Sequence, residues 1–514
     1  MPLVPDLATL AAPPLSDVIE EAAVVQDSRM SKPVATEVCL KGASVTVTVS
    51  GDVDEAEGAD SVADLAPGAP PLQALPSEGH SENATAPVTE TATATHATRL
   101  PEPSILVSLF PSTSYWTNNV PVAASVPLTP LLDQSEVHAP PAEDGIAPVP
   151  VQVDSAASCA RTLNVNVKGW VHISKKDGFR RNLLLGIGKR ILSPIRSDRS
   201  RLASQVFEER AGAFLDAGFT EQGAIRVCVL GLKKKQTDRD PAMALADIES
   251  LIGSSGHHFD VIPLMNSSGL FDETIRVPEE TVEEWQRVAG GSDGVWMNQL
   301  EFVAYKKSGS QAGTHAFGTC AVVQEQGYSV ITDLDDTIKD SDVYRGPTAA
   351  LNNALFTPSS SAIAGMSVLY NKFATECDIS FHYVSASPFQ LLEMINNFLV
   401  GDEFPVGSVT LRDVWHQSSR RGYKDEVIKG LFTKYPNRKF ILIGDAGEKD
   451  AEIYASVLKA NPDKISKILI RSVDNDEEKI KIVRKSLEGV PEDKWAVFSD
   501  PAALHHLTTE FKKL

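Results

Sequence analysis

The segment YSVITDLDDT, residues 328–337, indicates the fold class, because an apolar run in it ends directly at a group of carboxylates. Its apolar part is typical of a buried strand, and a helical pattern that ends near Thr375 follows it. The same alternation continues with strands at 379–385, 439–445 and 465–471 and helices at 388–399, 424–434 and 449–460. Alternating strands and helices predict an α/β fold in which a doubly wound parallel sheet carries helices on both faces.

The first of these strands leads into Asp333-Leu334-Asp335-Asp336-Thr337, a DxDxT arrangement whose two carboxylates are Asp333 and Asp335. Residues i and i+2 of an extended segment project to the same side, and the ligands of such sheets lie beyond the carboxyl ends of the strands. Asp333 is therefore predicted to be a nucleophile that forms an aspartyl-phosphate, and Asp335 a general acid that later activates water. A carboxylate matches a phosphate dianion only with a cation between them, so this chemistry predicts bound Mg²⁺.

The next strand end and the start of a helix offer two groups that suit phosphate binding. Ser385 ends the second strand, where its hydroxyl can hydrogen-bond a phosphoryl oxygen. Lys424 lies in the entry turn of a helix, where its ammonium group can neutralise developing negative charge. Lys429 and Lys434 on the same helix compete for that role, and we favour Lys424 because entry loops reach the edge of the sheet.

Two further carboxylates, Asp445 and Asp450, follow the third strand in the sequence GDAGEKD. One of them is predicted to ligate a hard cation and the other to support it. All four elements occur in chain order, and three of them directly follow apolar strands. This order and position make a phosphoryl-transfer site the favoured interpretation.

The sequences around these groups resemble one family closely. The segments VITDLDDTIKDSDV (330–343), FHYVSASPFQLLEMINNFL (381–399) and KFILIGDAGEKDAEIY (439–454) are similar to the fungal actin-patch-associated phosphatidate phosphatases of the haloacid dehalogenase superfamily. The resemblance implies a haloacid-dehalogenase-like fold and a peripheral, Mg²⁺-dependent enzyme that hydrolyses phosphatidate to diacylglycerol and phosphate. It implies association with cortical actin patches and endocytic proteins, partly through proline motifs that Src-homology domains bind.

The resemblance also implies roles for individual residues of this chain. Asp333 would be nucleophile and metal ligand, and Asp335 would be the acid/base and would offer its backbone carbonyl to the metal. The remaining positions are the phosphate-binding residues Thr337, Ser385 and Lys424 and the metal-site carboxylates Asp445 and Asp450.

The rest of the chain is predicted to comprise a tail and a second folded region. Residues 1–98 are predicted to be a disordered, acidic, Pro/Ala-rich tail, because the first 100 residues hold 15 acidic and 4 basic side chains and no aromatic residue. Residues 102–325 contain several short strand patterns and are predicted to form a β-rich, sandwich-like domain with an inserted loop at about 121–160. The phosphatase domain would then span 326–514.

Charge and composition restrict the partners. The formal net charge of −20 argues against a nucleic-acid-binding protein. The basic segment 175–201, nine basic against two acidic residues around the apolar LLLGIG, is predicted to dock on an anionic membrane; an ordinary solvated helix is the alternative. Pro67 and Pro70 form a minimal PxxP spacing. The five cysteines are scattered and odd in number, which argues against a disulfide framework. Together with the lack of a secretory signal or an apolar span, this predicts a cytoplasmic protein that is peripheral to membranes.

Two other functions are consistent with the same residues. A phosphatase of this fold could act on a soluble phosphomonoester or a phosphoprotein, because the chemistry at Asp333 and Asp335 is the same. Alternatively, the chain could be an endocytic adaptor with a vestigial site, although the intact set of charged groups argues against that hypothesis.

Overall fold

The structure is a computed structural model of the chain. It describes residues 35–40, 43–48, 104–118, 161–174, 179–192, 200–235, 239, 243–254, 259–290, 295–306, 314–358, 361–414 and 420–512. The predicted loop at 121–160, the PxxP at 67–70 and most of the predicted tail lie outside these residues. None of the helices in these ranges is long and apolar enough to cross a bilayer.

A short antiparallel hairpin, β1 (Ala35–Leu40) and β2 (Ala43–Thr48), lies within the predicted tail. The second strand, ASVTVT, alternates Val with Ser or Thr, the period-2 pattern of a β-strand. The hairpin belongs to a unit separate from the β-rich region and the parallel sheet.

The second region is rich in β-structure. Its strands are β3 (Ser104–Leu109), β4 (Ser112–Asn118), β5 (Arg161–Ser174), β6 (Ala217–Gly218), β7 (Ile225–Lys234), β8 (Asp260–Val261), β9 (Leu270–Pro278), β10 (Val295–Lys306) and β11 (His315–Val322). The helices that accompany them are α1 (Phe179–Leu192), α2 (Arg201–Ala213), α3 (Leu245–Ser254) and α4 (Glu279–Ala289).

These nine strands form one hydrogen-bonded sheet, whereas the sequence predicted a sandwich-like pair of sheets. The long strand β5 explains the difference, because it pairs with β3 and β4 through its two halves and also with β9 along most of its length. One apolar core lies against the sheet and includes Val165, Val227 and Phe302, which are fully buried. The strands β8 and β9 also contact each other.

The third region contains the predicted strand–helix alternation. Its strands are β12 (Gly327–Thr332), β13 (Ser380–Pro388), β14 (Gly407–Arg412), β15 (Arg438–Asp445), β16 (Ile465–Arg471) and β17 (Trp495–Phe498). Its helices are α5 (Pro347–Phe356), α6 (Met366–Cys377), α7 (Leu392–Gly401), α8 (Arg420–Lys434), α9 (Asp450–Ala460), α10 (Glu477–Ser486) and α11 (Leu507–Phe511). Short 3₁₀ helices lie at Val343–Arg345, Phe389–Leu391, Glu492–Lys494 and Pro501–Leu504.

These six strands form an entirely parallel sheet in the order β14-β13-β12-β15-β16-β17. Apolar side chains cover both of its faces, with α6 and α7 packed on one side and α8 and α9 on the other. The order of the sheet reverses beside β12, the strand that comes first in the chain. Ligands of such sheets bind where the order reverses, so the carboxyl ends of β12 and β15 are the expected place for a site.

The β-rich region packs against the parallel sheet within one compact unit. The Tyr435 hydroxyl donates to the Thr113 hydroxyl across 2.8 Å, and the Val409 amide donates to the Pro111 carbonyl across 2.9 Å. Trp170 of β5 packs edge-on against Phe389 in the core of the parallel sheet. The two regions therefore share buried contacts.

Candidate active site

Three carboxylates converge beyond the carboxyl ends of β12 and β15. Asp333 follows β12, Asp445 ends β15 and Glu448 lies in the loop after it, and one oxygen from each lies within 4.8 Å of the others. Asp333 and Asp445 are buried, whereas Glu448 is partly exposed. The reversal in strand order therefore brings together acidic groups that are more than 100 residues apart in the chain.

The loop after β15 is shaped by local contacts. One oxygen of Asp445 accepts hydrogen bonds from the backbone amides of Gly447 (2.6 Å) and Glu448 (3.0 Å), which fixes the turn. Gly444 has no space for a side chain, because a Cβ there would lie 2.3 Å from a carboxylate oxygen of Asp450. Glycine at this position thus allows Asp450 to approach the strand end.

A buried lysine lies at the centre of the acidic group. The Lys424 ammonium nitrogen is 2.9 Å from an oxygen of Asp333, 2.5 Å from an oxygen of Asp450 and 3.5 Å from an oxygen of Glu448. Lys424 lies within α8, in its second turn and not in the entry turn as predicted from the sequence, and its side chain is buried. One cation therefore contacts three of the four acidic groups.

The pKa values of Asp333, Asp445, Asp450 and Lys424 are all raised, for different reasons. Burial raises the pKa of Asp333 well above its usual range, although Lys424 opposes the shift, and burial likewise raises the pKa of Asp445 and Asp450. The pKa of Lys424 is also raised, because its acidic neighbours outweigh the effect of its burial. The site thus has more negative charge than one lysine balances.

The residues present fit a hard divalent cation. The second carboxylate oxygens of Asp333 and Asp445 are buried, and neither accepts a hydrogen bond from any described residue. Buried carboxylate oxygens without a donor are costly unless a cation satisfies them, and Mg²⁺ prefers oxygen ligands of this kind. Asp333, Asp445 and Glu448 are the residues that would hold such an ion.

Asp335 lies in a different environment from Asp333. One of its oxygens accepts a hydrogen bond from Ser341 (2.6 Å), and the other accepts from Ser385 (3.1 Å) and Ser387 (2.8 Å). The ammonium group of Lys339 lies 3.7 Å from Asp335 and donates to the Ser341 hydroxyl across 2.8 Å. Burial would raise the pKa of Asp335, but Lys339 and the three serine hydroxyls outweigh it, so the pKa is lowered.

The third carboxylate of the motif shapes the backbone. Asp336 has a left-handed backbone (φ 54°), which turns the chain away from the strand direction directly after Asp335. Its carboxylate accepts from the backbone amides of Ser341 (3.0 Å) and Tyr344 (2.9 Å). These bonds hold the loop that places Ser341 and Lys339 beside Asp335.

The other predicted site residues have the following positions. Ser385 contacts Asp335, and its hydroxyl also accepts from the Ser387 amide across 2.9 Å. Thr337 is fully buried, and its hydroxyl has no hydrogen-bond partner among the residues that the structure describes. Asp450 binds Lys424 and is outside the group that can converge on one ion, so its role as a metal ligand stays a prediction.

Sequence reasoning missed several residues that contact the predicted ones. Glu448 lies in the GDAGEKD segment, and Ser387 lies two residues after Ser385 in HYVSASP, but the sequence pattern assigns neither of them a role. Lys339 and Ser341 follow the DxDxT segment, where spacing alone gives no reason to expect them beside Asp335. Only the turn at Asp336 brings them there.

The basic segment 175–201 is only partly described. Within it, Arg181 forms a buried ion pair with Asp216, and Lys189 pairs with Glu208. Arg181 is thus engaged inside the protein, whereas Lys189 and Glu208 pair at the surface, so the docking of this segment on a membrane stays a prediction.

Comparison with known proteins gives a match over part of the chain. Residues 328–472 match the family model of the phosphatidate phosphatase APP1 catalytic domain. The chain is 32% identical over 164 residues to an uncharacterized protein of Schizosaccharomyces pombe and 30% identical over 162 residues to phosphatidate phosphatase APP1 of Saccharomyces cerevisiae. Each match covers 30% of this chain and 27% of the relative, so the matched part spans about a quarter of those proteins. The family resemblance inferred from the sequence is confirmed for this region.

A structural comparison gives a similarity to a mutant of the PilB minor pilin from Streptococcus sanguinis, with a TM-score of 0.23 and 8% identity. The similarity covers 56% of this chain and 87% of the pilin chain.

Proposed function

Because residues 328–472 match the APP1 catalytic domain, we propose that this protein is a phosphatidate phosphatase that hydrolyses phosphatidate to diacylglycerol and phosphate. The observation that carries the proposal is the position of the site. The matched segment contains Asp333, Asp335, Lys424 and Asp445, which lie together where the strand order reverses. A haloacid-dehalogenase-like fold is part of the proposal, and the parallel sheet with helices on both faces is consistent with it.

The first step of the proposed reaction forms a covalent intermediate. A carboxylate oxygen of Asp333 attacks phosphorus, and the bond between phosphorus and the glycerol oxygen breaks. Asp335 delivers a proton to that leaving oxygen. Since the pKa of Asp335 is lowered, the group is ionised at rest and must first take up a proton, for which a singly protonated substrate phosphate is a suitable source.

The second step releases phosphate. Asp335, now ionised, removes a proton from water as its oxygen attacks the phosphorus of the aspartyl-phosphate. The bond between phosphorus and the Asp333 oxygen then breaks, which restores the carboxylate. Lys424 stabilises negative charge on the transferred group in both steps, and the hydroxyls of Ser385 and Thr337 are proposed to bind its oxygens.

Mg²⁺ is the cofactor that we propose for this site. When bound, it would neutralise the carboxylates and the phosphate that must approach them. Asp333, Asp445 and Glu448 would hold it, with the backbone carbonyl of Asp335 as a further proposed ligand. Asp450 would support the site through Lys424.

The cellular setting is likewise a proposal. A substrate that lies in a bilayer requires a protein that works at a membrane surface, so we propose a cytoplasmic protein that binds membranes peripherally. Recruitment to cortical actin patches through Src-homology partners rests on the family resemblance and on the PxxP at 67–70, which is outside the described residues.

The decisive experiment is release of phosphate from phosphatidate in mixed micelles, with Mg²⁺ and then with EDTA, for the wild type and for Asp333→Asn. We expect metal-dependent release that the variant loses, because Asn keeps the shape but lacks the nucleophilic charge. Release that persists in Asp333→Asn would overturn the mechanism. Turnover of a soluble aryl phosphate without turnover of phosphatidate would favour a soluble phosphomonoester or a phosphoprotein as substrate, and inactivity of a folded protein on both would favour an adaptor.

A further inference from the structure

Helix α1 exposes three large apolar side chains to solvent. Leu183, Leu184 and Ile187 have exposed fractions of 51%, 49% and 39%. Residues three and four apart share one side of a helix, so these three side chains form one continuous surface, which we call the α1 apolar face. Exposing a group of this kind is unfavourable in water, and such groups commonly mark interaction sites.

The opposite side of α1 holds the helix in place. Leu185 is buried in a small cluster with Phe207 of α2 and Phe356 of α5, and those two rings stack with centroids 4.9 Å apart. Arg181 pairs with the buried Asp216. The helix is therefore anchored by its inner side, and its outward apolar residues are displayed in a fixed orientation.

The charge of α1 suits an anionic partner. The helix FRRNLLLGIGKRIL has no acidic residue, and the basic segment 175–201 has nine basic against two acidic residues in a chain of net charge −20. Arg180 stands one turn before Leu183 along the helix, and Arg190 stands one turn after Ile187. Apolar residues flanked by arginines are the pattern of helices that lie in a membrane interface.

Packing connects α1 to the candidate site. On α2, which packs beneath α1, Arg210 donates to the backbone carbonyl of Ala354 in α5 across 2.8 Å. In the same helix α5, the Asn353 amide donates to the backbone carbonyl of Asp340 across 3.2 Å, and Asp340 follows Lys339, the lysine beside Asp335. A surface that binds α1 would thus be joined to the catalytic loop through two packed helices.

We propose that the α1 apolar face inserts into the interfacial layer of an anionic lipid bilayer and so seats the protein on the membrane that contains its substrate. The inference rests on the proposed function in one respect, that the substrate is a lipid phosphate. A lipid surface is favoured over a second copy of the chain, because two copies joined through this face would bring two basic segments together. A bilayer offers both negative charge and an apolar layer.

The test compares two triple variants of the full chain. Leu183→Gln, Leu184→Gln and Ile187→Gln make the face polar while keeping helix propensity close to that of the wild type. The matched control carries Val288→Gln, Val368→Gln and Ile482→Gln, which are exposed apolar residues on other helices, with exposed fractions of 71%, 56% and 65%.

Binding is measured by co-sedimentation with phosphatidylcholine vesicles that contain phosphatidate. We expect the α1 variant to lose at least about tenfold in vesicle affinity, because the apolar area that it would bury is removed. The control should bind like the wild type, and both variants should turn over a soluble aryl phosphate at the wild-type rate. Wild-type binding should weaken as salt is raised.

Two outcomes would overturn the proposal, and a third separates it from the proposed function. Equal vesicle binding by the α1 variant and the wild type would exclude this face as the docking surface. A wild-type protein that forms dimers, which the α1 variant does not form, would assign the face to a second copy. Vesicle binding without hydrolysis would leave the docking surface intact and sink the proposed function instead.

Discussion

Two parts of the candidate site differ in how their charges are balanced, although Asp333 in one part and Asp335 in the other are only two residues apart in the sequence. We call the group Asp333, Asp445, Glu448, Asp450 and Lys424 the cation half, and the group Asp335, Lys339, Ser341, Ser385 and Ser387 the proton half. The cation half has four carboxylates for one lysine, and three of its buried carboxylate oxygens, one each from Asp333, Asp445 and Asp450, have no donor within the described chain. The proton half has one carboxylate, one lysine and three hydroxyls.

The difference indicates what each half requires. The proton half is electrostatically complete, and the pKa of Asp335 is accordingly lowered despite its burial. The cation half is incomplete, and burial and mutual repulsion raise the pKa of Asp333, Asp445 and Asp450. A buried excess of carboxylates is unfavourable in isolation, so a bound cation is expected to stabilise this half and to leave the other nearly unchanged.

The largest effect is expected from Lys424→Met. This change removes the only lysine of the cation half, and breaking a buried ion pair in this way typically costs about 3–5 kcal/mol. We expect a loss of that size in the free energy of unfolding, measured with urea, together with loss of turnover. Lys429→Met, on the exposed side of the same helix, should cost less than about 1 kcal/mol. Equal losses in the two variants would mean that Lys424 is not the counter-charge.

The next effect concerns metal. Mg²⁺ at about one hundred times its dissociation constant should stabilise the wild type by roughly 2.7 kcal/mol. Asp445→Asn should lose most of this gain, because it removes a ligand, and should be at least as stable as the wild type in EDTA, because it relieves repulsion. Thermal unfolding with Mg²⁺ and with EDTA measures both effects.

Asp425→Asn, a half-exposed carboxylate on α8, is the matched control for that experiment and should keep the full response to Mg²⁺. A wild type whose unfolding temperature does not respond to Mg²⁺ would contradict the view that the cation half is incomplete. Asp450→Asn then tests the remaining assignment, since a supporting residue should weaken the response less than a ligand does.

A smaller effect is expected when Lys339→Met removes the cation of the proton half. Lys339 lowers the pKa of Asp335, so its loss should raise that pKa and move the acidic limb of the pH profile of kcat/KM to higher pH. The fall in kcat/KM should stay below the roughly 10²–10⁴-fold that a general acid–base contributes. An acidic limb that does not move would show that another group controls it.

The smallest effect is expected from Ser387→Ala, which removes one of the three hydroxyls bound to Asp335. A hydrogen bond to a charged group contributes about 1.5–3 kcal/mol, and two other hydroxyls remain, so we expect kcat/KM to fall by about tenfold. Ser367→Ala is the control, because that hydroxyl bonds to the Asp402 carbonyl away from the site. A loss as large as that from Lys339→Met would mean that the proton half depends on one bond.

Much of the parallel-sheet region could be predicted because its signals are local. Each predicted strand is present within a few residues of its bounds, since apolar runs of this length are buried in a parallel sheet. Asp335, just after β12, meets Ser385, near the carboxyl end of β13, because these two strands are parallel neighbours. In contrast, the pairing of one long strand, β5, with four others joined the β-rich region into one sheet, and no local pattern indicates how many partners a strand has.

The partners of the predicted residues depended on long-range geometry. Lys424 was selected for its place near the sheet edge, yet the structure adds its contacts with Asp333, Asp450 and Glu448. Glu448 had no separate signal, because an acidic residue in a polar loop is usually solvated. The orientation of α1 is a further case, since a Leu-rich basic helix is compatible with burying or exposing its leucines.

The amino-acid pattern alone predicts the α/β class of residues 327–498, the family resemblance and the carboxylates that follow the strands, because strand periodicity and the residues at strand ends are local properties. The tertiary structure is needed to establish the strand order that joins β12 to β15, the division of the site into two halves and the exposure of the α1 apolar face. Burial, charge balance and desolvation depend on which distant segments pack together, so they cannot be inferred from the pattern of one segment.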